Sequence, residues 1–207
     1  MKQWVSGLLA AACLATATPA AARVTATFWS QDLGQSFPHA FVTLAGTPDA
    51  GGPPVDIAFG FTAKTVSPAL LLGTVPGTID YPKHGYIAQS NARFQVVLTD
   101  DQYRAIKALL DEWGEKGDHH YNLHKRNCVS FVAEAARRAG LTVTDEQRFV
   151  TKPYSFLTSV EEANVGKVVL IDLPAKEYWA GKQPGSMPPA GDTNDNAAAP
   201  ATASASR

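Results

Sequence analysis

The chain has 207 residues, of which 18 are Lys or Arg and 19 are Asp or Glu, so its formal net charge is −1. Because there is neither an excess of positive charge nor a basic stripe, the composition argues against nucleic acid as a partner. Cysteine is used only twice, at Cys13 and Cys128.

The first 22 residues have the pattern of a secretory signal peptide. Lys2 supplies an early positive charge, an uncharged run of Leu, Ala and Val follows, and small residues end at Ala22, with Ala20 two positions earlier. The apolar run is too short for a membrane-spanning helix. Cleavage after Ala22 predicts a periplasmic or secreted protein whose only cysteine is Cys128. Lipid attachment at Cys13 is the alternative, but the bulky residue usual three positions before such a cysteine is missing.

One domain is predicted over residues 23–182, a length that suits a single core. From residue 183 onward the sequence consists largely of Pro, Gly, Ala, Ser and Asn, with almost no large apolar residue. Such a composition cannot offset the entropy of ordering the chain. Residues 183–207 are therefore predicted to be a disordered tail.

Strand patterns come first in the domain. Alternating, β-branched and aromatic residues predict strands over 24–30, 39–46 and 55–61, the last two joined as a hairpin. The Gly- and Pro-rich segment 62–85 is expected to be irregular and to form part of a substrate wall or plain surface. Residues 92–99 predict a further strand.

The hydrophobic period then changes to that of a helix. A capping-box signature at Thr99 and Gln102 starts the first helix. Its apolar face is formed by Tyr103, Ile106, Leu110 and Trp113. A second helix is predicted after Asn127, with Gly140 as its C-cap, and residues 167–173 add a short strand. Strands, helices and a last strand without regular alternation predict an α+β fold.

Cys128 falls at the first position of the second helix. Asn127 is among the preferred N-cap residues, so the sulfur lies near unpaired backbone N–H groups and the positive end of the helix dipole, which favour thiolate over thiol. Lys125 and Arg126 add positive charge just before it. This position suits a nucleophile, and the alternative is a buried structural thiol.

A cysteine nucleophile needs a base, and histidine has the pKa for that role. His39 opens a strand, where a rigid element can aim its ring into a cleft. The other histidines are His84, His119, His120 and His124.

A zinc site is the competing interpretation of the later histidines. His120 and His124 have the i, i+4 spacing of a helical metal pair, with Cys128 as a further ligand. Gly117 and Asn122 weaken the helix that this pair would need. Solvated loop histidines are therefore preferred, and neither a metal nor a cofactor is predicted.

In their order, these pieces resemble the circularly permuted branch of the papain-like cysteine hydrolases, the NlpC-type superfamily. The likeness rests on HAFVTL at 39–44, FGF at 59–61, YNLHKRNCVSFV at 121–132 and KPYSFLTSV at 152–160, and it covers roughly residues 28–160. The histidine strand precedes the cysteine helix, the reverse of the order in papain. The resemblance implies an antiparallel sheet packed against the helix that carries the nucleophile.

The resemblance also implies roles for individual residues. Cys128 would be the nucleophile, and His39 the general base and later the acid. A third polar group holds the imidazole in papain-like sites. Asp56, the only carboxylate on the strand after His39, is the first candidate, and an ordinary surface carboxylate explains it equally well. The backbone N–H of Cys128 and an unidentified second donor would stabilise the oxyanion.

Two residues are assigned to substrate binding. Asn127 is first a helix cap and second a residue lining the cleft. Tyr121, seven positions before Cys128, either flanks the cleft or is a core aromatic residue.

The expected function is that of a secreted cysteine amidase or peptidase, because the resemblance implies acyl-transfer chemistry and export favours cell-wall peptide or isopeptide as substrate. One alternative is an acyltransferase or thioesterase acting on lipid acyl groups, as in members similar to lecithin retinol acyltransferase. Others are a catalytically silent binding module of the same fold and a structural envelope protein that acts through its tail. The enzyme interpretation predicts that Cys128 is accessible, unusually acidic and within hydrogen-bond range of His39, and a buried, inert thiol would contradict it.

Overall fold

The computed structural model describes residues 23–32, 37–144 and 146–181, and every structural statement below refers to these. The predicted signal peptide and the predicted tail lie outside them and stay predictions. Within the described residues a seven-stranded antiparallel sheet packs with helices, which confirms the predicted α+β class. No helix of this part of the chain is both long and apolar enough to cross a membrane.

The strands pair in the order β6-β4-β3-β2-β1-β5-β7. They are β1 (Thr25–Gln31), β2 (His39–Gly46), β3 (Val55–Ala63), β4 (Thr74–Asp80), β5 (Asn91–Val97), β6 (His120–Asn122) and β7 (Val169–Pro174). The central strand β2 is buried on both faces over its first six residues. Alternate side chains of β2 therefore reach two separate apolar clusters.

The helices are α1 (Ala69–Leu72), α2 (His84–Ile87), α3 (Asp100–Glu112), α4 (Cys128–Arg138), α5 (Pro153–Ala163) and α6 (Ala175–Ala180). The predicted capping box starts α3: the Gln102 backbone N–H donates to Thr99 Oγ1, and the Thr99 N–H donates to Gln102 Oε1. The predicted glycine cap ends α4, where Gly140 has φ 79°. Its N–H donates to the Arg137 carbonyl, and the N–H of Leu141 donates to the Ala136 carbonyl, which is the Schellman arrangement.

The larger apolar cluster lies between one face of the sheet and the helices α3, α4 and α5. Ala40, Val42 and Leu44 of β2 point into it. The opposite face carries a smaller cluster that contains Phe41, with Ile87 of α2 and residues of α6 packed on it. The early part of β2 therefore lies between α4 on one side and α2 on the other.

The expectation of irregular structure over residues 62–85 is wrong in part, because this segment contains α1, β4 and the start of α2. The sequence pattern did not predict β4 because Pro76 and Gly77 are unfavourable inside a strand. Antiparallel pairing with β3, from Gly60 with Asp80 to Ala63 with Gly77, forms the strand despite them. This pairing brings a carboxylate to the sheet face that His39 occupies.

Candidate active site

Asn127 fixes the start of α4. Its Oδ1 accepts hydrogen bonds from the N–H groups of Val129 (2.8 Å) and Ser130 (3.2 Å), and its Nδ2 donates to the carbonyls of Leu123 (2.7 Å) and Val150 (2.6 Å). The predicted capping role is confirmed. Because the side chain is 2% exposed and both its donors and both its acceptor positions are used, no hydrogen-bonding group of Asn127 is left for a substrate.

Cys128 lies where two central strands stop pairing. The β2–β3 register ends at Phe41 and Gly60, although β2 starts at His39 and β3 continues to Ala63. At this opening the backbone N–H of Ala40 reaches the Cys128 sulfur. The thiol is therefore seated against the residue that follows His39.

The imidazole of His39 is folded over the sheet. Its ring lies 6.2 Å from the Phe41 ring in a stacked arrangement and 6.2 Å from the Tyr86 ring edge-on. The backbone of Gly60 lies under it. A Cβ at Gly60 would stand 3.0 Å from His39 Nε2 and 3.1 Å from the Phe41 Cβ, so glycine leaves the space that the imidazole fills.

Asp80 supplies the carboxylate nearest to this ring. It pairs with Gly60 across β3 and β4, so its side chain is on the same sheet face as the imidazole. The distance from Asp80 Oδ2 to His39 Nε2 is 3.8 Å, within ion-pair range and too long for a hydrogen bond. The buried Nε2 has no hydrogen-bond partner among the described residues.

Asp56, the carboxylate expected to hold the imidazole, is not beside it. Asp56 pairs with Ala45, six residues along β2 from His39. At about 3.3 Å per residue this is roughly 20 Å along the strand. Asp80 of β4 occupies the place that the sequence interpretation gave to Asp56.

Burial determines the protonation of both candidate catalytic groups. It raises the pKa of the Cys128 thiol to about 11, even though the N–H groups of Ala40, Val129 and Cys128 itself act in the opposite direction. Burial likewise lowers the pKa of His39 to about 4. The expectation of an accessible, acidic thiol is therefore wrong for the free protein. Desolvation raises the thiol pKa by more than the helix N-terminus lowers it. Both groups are therefore neutral at rest, and within the described residues no hydrogen bond joins His39 to Cys128, contrary to the expectation.

Two tyrosines border the thiol from opposite sides. The hydroxyls of Tyr86 and Tyr121 both lie within electrostatic range of the Cys128 sulfur, and burial raises the pKa of each well above its usual range. Tyr121 is a core residue, 8% exposed, with its ring 5.7 Å from that of Phe61. The interpretation of Tyr121 as a core aromatic residue is confirmed, and its place beside a substrate cleft stays a prediction.

The later histidines do not form the helical pair that zinc binding would need. His120 begins β6, an extended strand, and its Nδ1 lies 2.8 Å from Asp118 Oδ1. His84 packs on the ring of Trp179 at 5.4 Å. Within the described ranges, no group of three His, Cys, Asp or Glu side chains is arranged to hold a metal ion.

Sequence reasoning missed Gly60, Asp80 and Tyr86. Gly60 had a usable signal, because an isolated glycine inside a strand pattern often marks the close approach of another group. Asp80 and Tyr86 had none, since Asp80 falls in the segment expected to be irregular and Tyr86 directly follows it.

Comparisons with protein-family models, with curated proteins and with solved structures each found no match. The site is therefore interpreted from its own residues and their geometry.

Proposed function

We propose that the protein is a cysteine hydrolase of the permuted papain-like type, with Cys128 as nucleophile, His39 as proton carrier and Asp80 as the group that orients the imidazole. One observation carries this proposal: a buried imidazole nitrogen without a hydrogen-bond partner faces a carboxylate at 3.8 Å. His39 also directly precedes Ala40, whose backbone N–H interacts with the Cys128 thiol. A buried polar group without a partner calls for an explanation, and a catalytic role is one of those that apply.

The contact with Asp80 supports a proposed role for each ring nitrogen. Nε2 faces Asp80, so a proton on Nε2 is favoured and Nδ1 is left to exchange a proton with the thiol. During acylation Nδ1 takes the thiol proton while the sulfur attacks the carbonyl carbon of the substrate. The proton then passes to the leaving amine as the C–N bond breaks.

The second half of the reaction restores the enzyme. Water gives a proton to Nδ1 and attacks the thioester carbon, the C–S bond breaks, and the proton returns to the sulfur. Because the resting pair is neutral, the charges form only as the substrate reacts. Asp80 then stabilises the imidazolium, and the N–H groups around Cys128 stabilise the negative sulfur.

The proposed bond is an amide of a cell-wall peptide or isopeptide in the periplasm or outside the cell. This choice rests on the predicted signal peptide, since export brings the protein to that substrate. Ester or thioester hydrolysis on lipid acyl groups uses the same steps with an alcohol or thiol as leaving group.

A catalytically silent binding module is the second candidate, and the protonation of Cys128 favours it. A thiol with a pKa of about 11 is almost fully protonated at neutral pH, and only the thiolate is nucleophilic. In this case the opening between β2 and β3 would be a recognition surface without turnover.

Acylation of the thiol separates the two candidates. The purified protein is treated with p-nitrophenyl acetate, and the acetyl adduct is located by intact mass and peptide mapping. We expect an adduct on Cys128 that turns over, loss of the adduct in Cys128→Ser, and a fall of about 100-fold or more in acylation rate in His39→Gln. His124→Gln is the matched control, because that histidine is exposed.

A wild-type thiol that is acylated only after unfolding would reject the enzyme and support the binding module. If acylation is found, incubation with purified wall peptides, followed by detection of newly released amino groups, tests the proposed substrate class against acyl esters.

A further inference from the structure

Tyr86 is an aromatic residue beside the candidate site. It belongs to α2, which is anchored by the buried Ile87. The Tyr86 ring contacts His39 edge-on at 6.2 Å and Phe41 at 6.0 Å. Unlike Cys128 and His39 it is only half-buried, so part of its surface is open to solvent.

The surroundings of the Tyr86 hydroxyl leave it available as a hydrogen-bond donor. It is in electrostatic range of both the Asp80 carboxylate and the Cys128 sulfur. Among the described residues it makes no hydrogen bond, whereas the buried Tyr178 hydroxyl bonds Gln95 at 3.2 Å. Because burial and nearby negative charge keep the Tyr86 pKa above its usual range, the hydroxyl keeps its proton and remains a donor.

A hydrolase of this kind needs such a donor. Attack on a carbonyl places negative charge on its oxygen, and preorganised donors aimed at that oxygen usually provide a large part of the acceleration. The backbone N–H of Cys128 is one donor beside the sulfur. Asn127 cannot supply the second donor, since it uses all its hydrogen-bonding positions.

We propose that the Tyr86 hydroxyl is the second oxyanion donor, acting with the backbone N–H of Cys128 on the carbonyl oxygen of the substrate. This inference rests on the proposed hydrolase function. Tyr103 of α3 is the control, because it is likewise half-buried and its ring lies on a different element, 5.7 Å from Lys107 Nζ.

Two reactions of the same thiol test the inference. Acylation by p-nitrophenyl acetate passes through a tetrahedral oxyanion. Alkylation by iodoacetamide forms an S–C bond as iodide leaves and has no oxyanion. The rates of both are measured for wild type, Tyr86→Phe and Tyr103→Phe, with thermal unfolding as a check that the ring packing is retained.

We expect Tyr86→Phe to acylate about 100-fold more slowly and to be alkylated at the wild-type rate, with Tyr103→Phe close to wild type in both reactions. Unchanged acylation in Tyr86→Phe would overturn the inference. An equal fall in both rates would also overturn it, because Tyr86 would then act on the thiol itself. If wild type is not acylated at all, the hydrolase proposal fails first, and the role of Tyr86 fails with it.

Discussion

Replacing Asn127 with alanine should destabilise the protein strongly, because this side chain makes four hydrogen bonds at the start of α4. The change removes the acceptor that caps the N–H groups of Val129 and Ser130. It also leaves the carbonyls of Leu123 and Val150 without the donor that now satisfies them.

The magnitude follows from these contacts. Loss of an N-cap to alanine typically costs about 1 kcal/mol, and a buried polar group left without a partner costs about 1 to 3 kcal/mol. With two carbonyls affected, we expect Asn127→Ala to lower the free energy of unfolding by about 4 kcal/mol. For a domain of this size the melting temperature should fall by roughly 10 °C.

Urea unfolding followed by tryptophan fluorescence measures this loss of stability. The Asn127→Ser variant separates the contribution of the N-cap from that of the two amide hydrogen bonds. Serine keeps an acceptor for the cap and removes both amide donors, so it should recover about 1 kcal/mol relative to alanine. A loss below about 1 kcal/mol in Asn127→Ala would refute the reasoning, since it would mean that the two carbonyls are satisfied without the amide. Equal losses in the two variants would show that capping contributes nothing here.

The remaining predictions concern the imidazole and its surroundings. Gly60→Ala places a methyl group 3.0 Å from His39 Nε2. It should cost about 1 to 3 kcal/mol in urea unfolding and slow acylation of Cys128, and wild-type values for both would contradict the described packing. As the pH falls from 6.5 to about 4, the unfolded state binds a proton on His39 that the native state does not. Stability should therefore drop by about 3 kcal/mol over this range, and His39→Gln should remove this part of the loss. As the pH rises from 9.0 to about 11, the unfolded state releases the Cys128 proton while the native state keeps it. The free energy of unfolding should therefore fall again, and Cys128→Ser should not show this fall. Urea titrations in which the free energy of unfolding stays constant over both pH ranges would contradict a buried, neutral His39 and Cys128.

The sequence alone determined the local structure around the candidate nucleophile. The Asn127 N-cap, the Gly140 C-cap and the capping box at Thr99 each depend on residues only a few positions apart. A short stretch of sequence is therefore enough to recognise them. The strand that carries His39 was predicted with its observed bounds, His39–Gly46, for the same reason. Its alternation and its β-branched and aromatic side chains need no partner to be recognised.

The tertiary structure alone decided what surrounds His39 and Cys128. Asp80 reaches the imidazole because β4 pairs with β3 and sets Asp80 opposite Gly60, a contact between residues 20 positions apart in a segment whose Pro76 and Gly77 suggest no strand. The protonation states of Cys128 and His39 could not be predicted from the sequence either. A helix N-terminus is a local effect that favours thiolate, whereas desolvation depends on every element packed around the sulfur, and here desolvation is the larger effect.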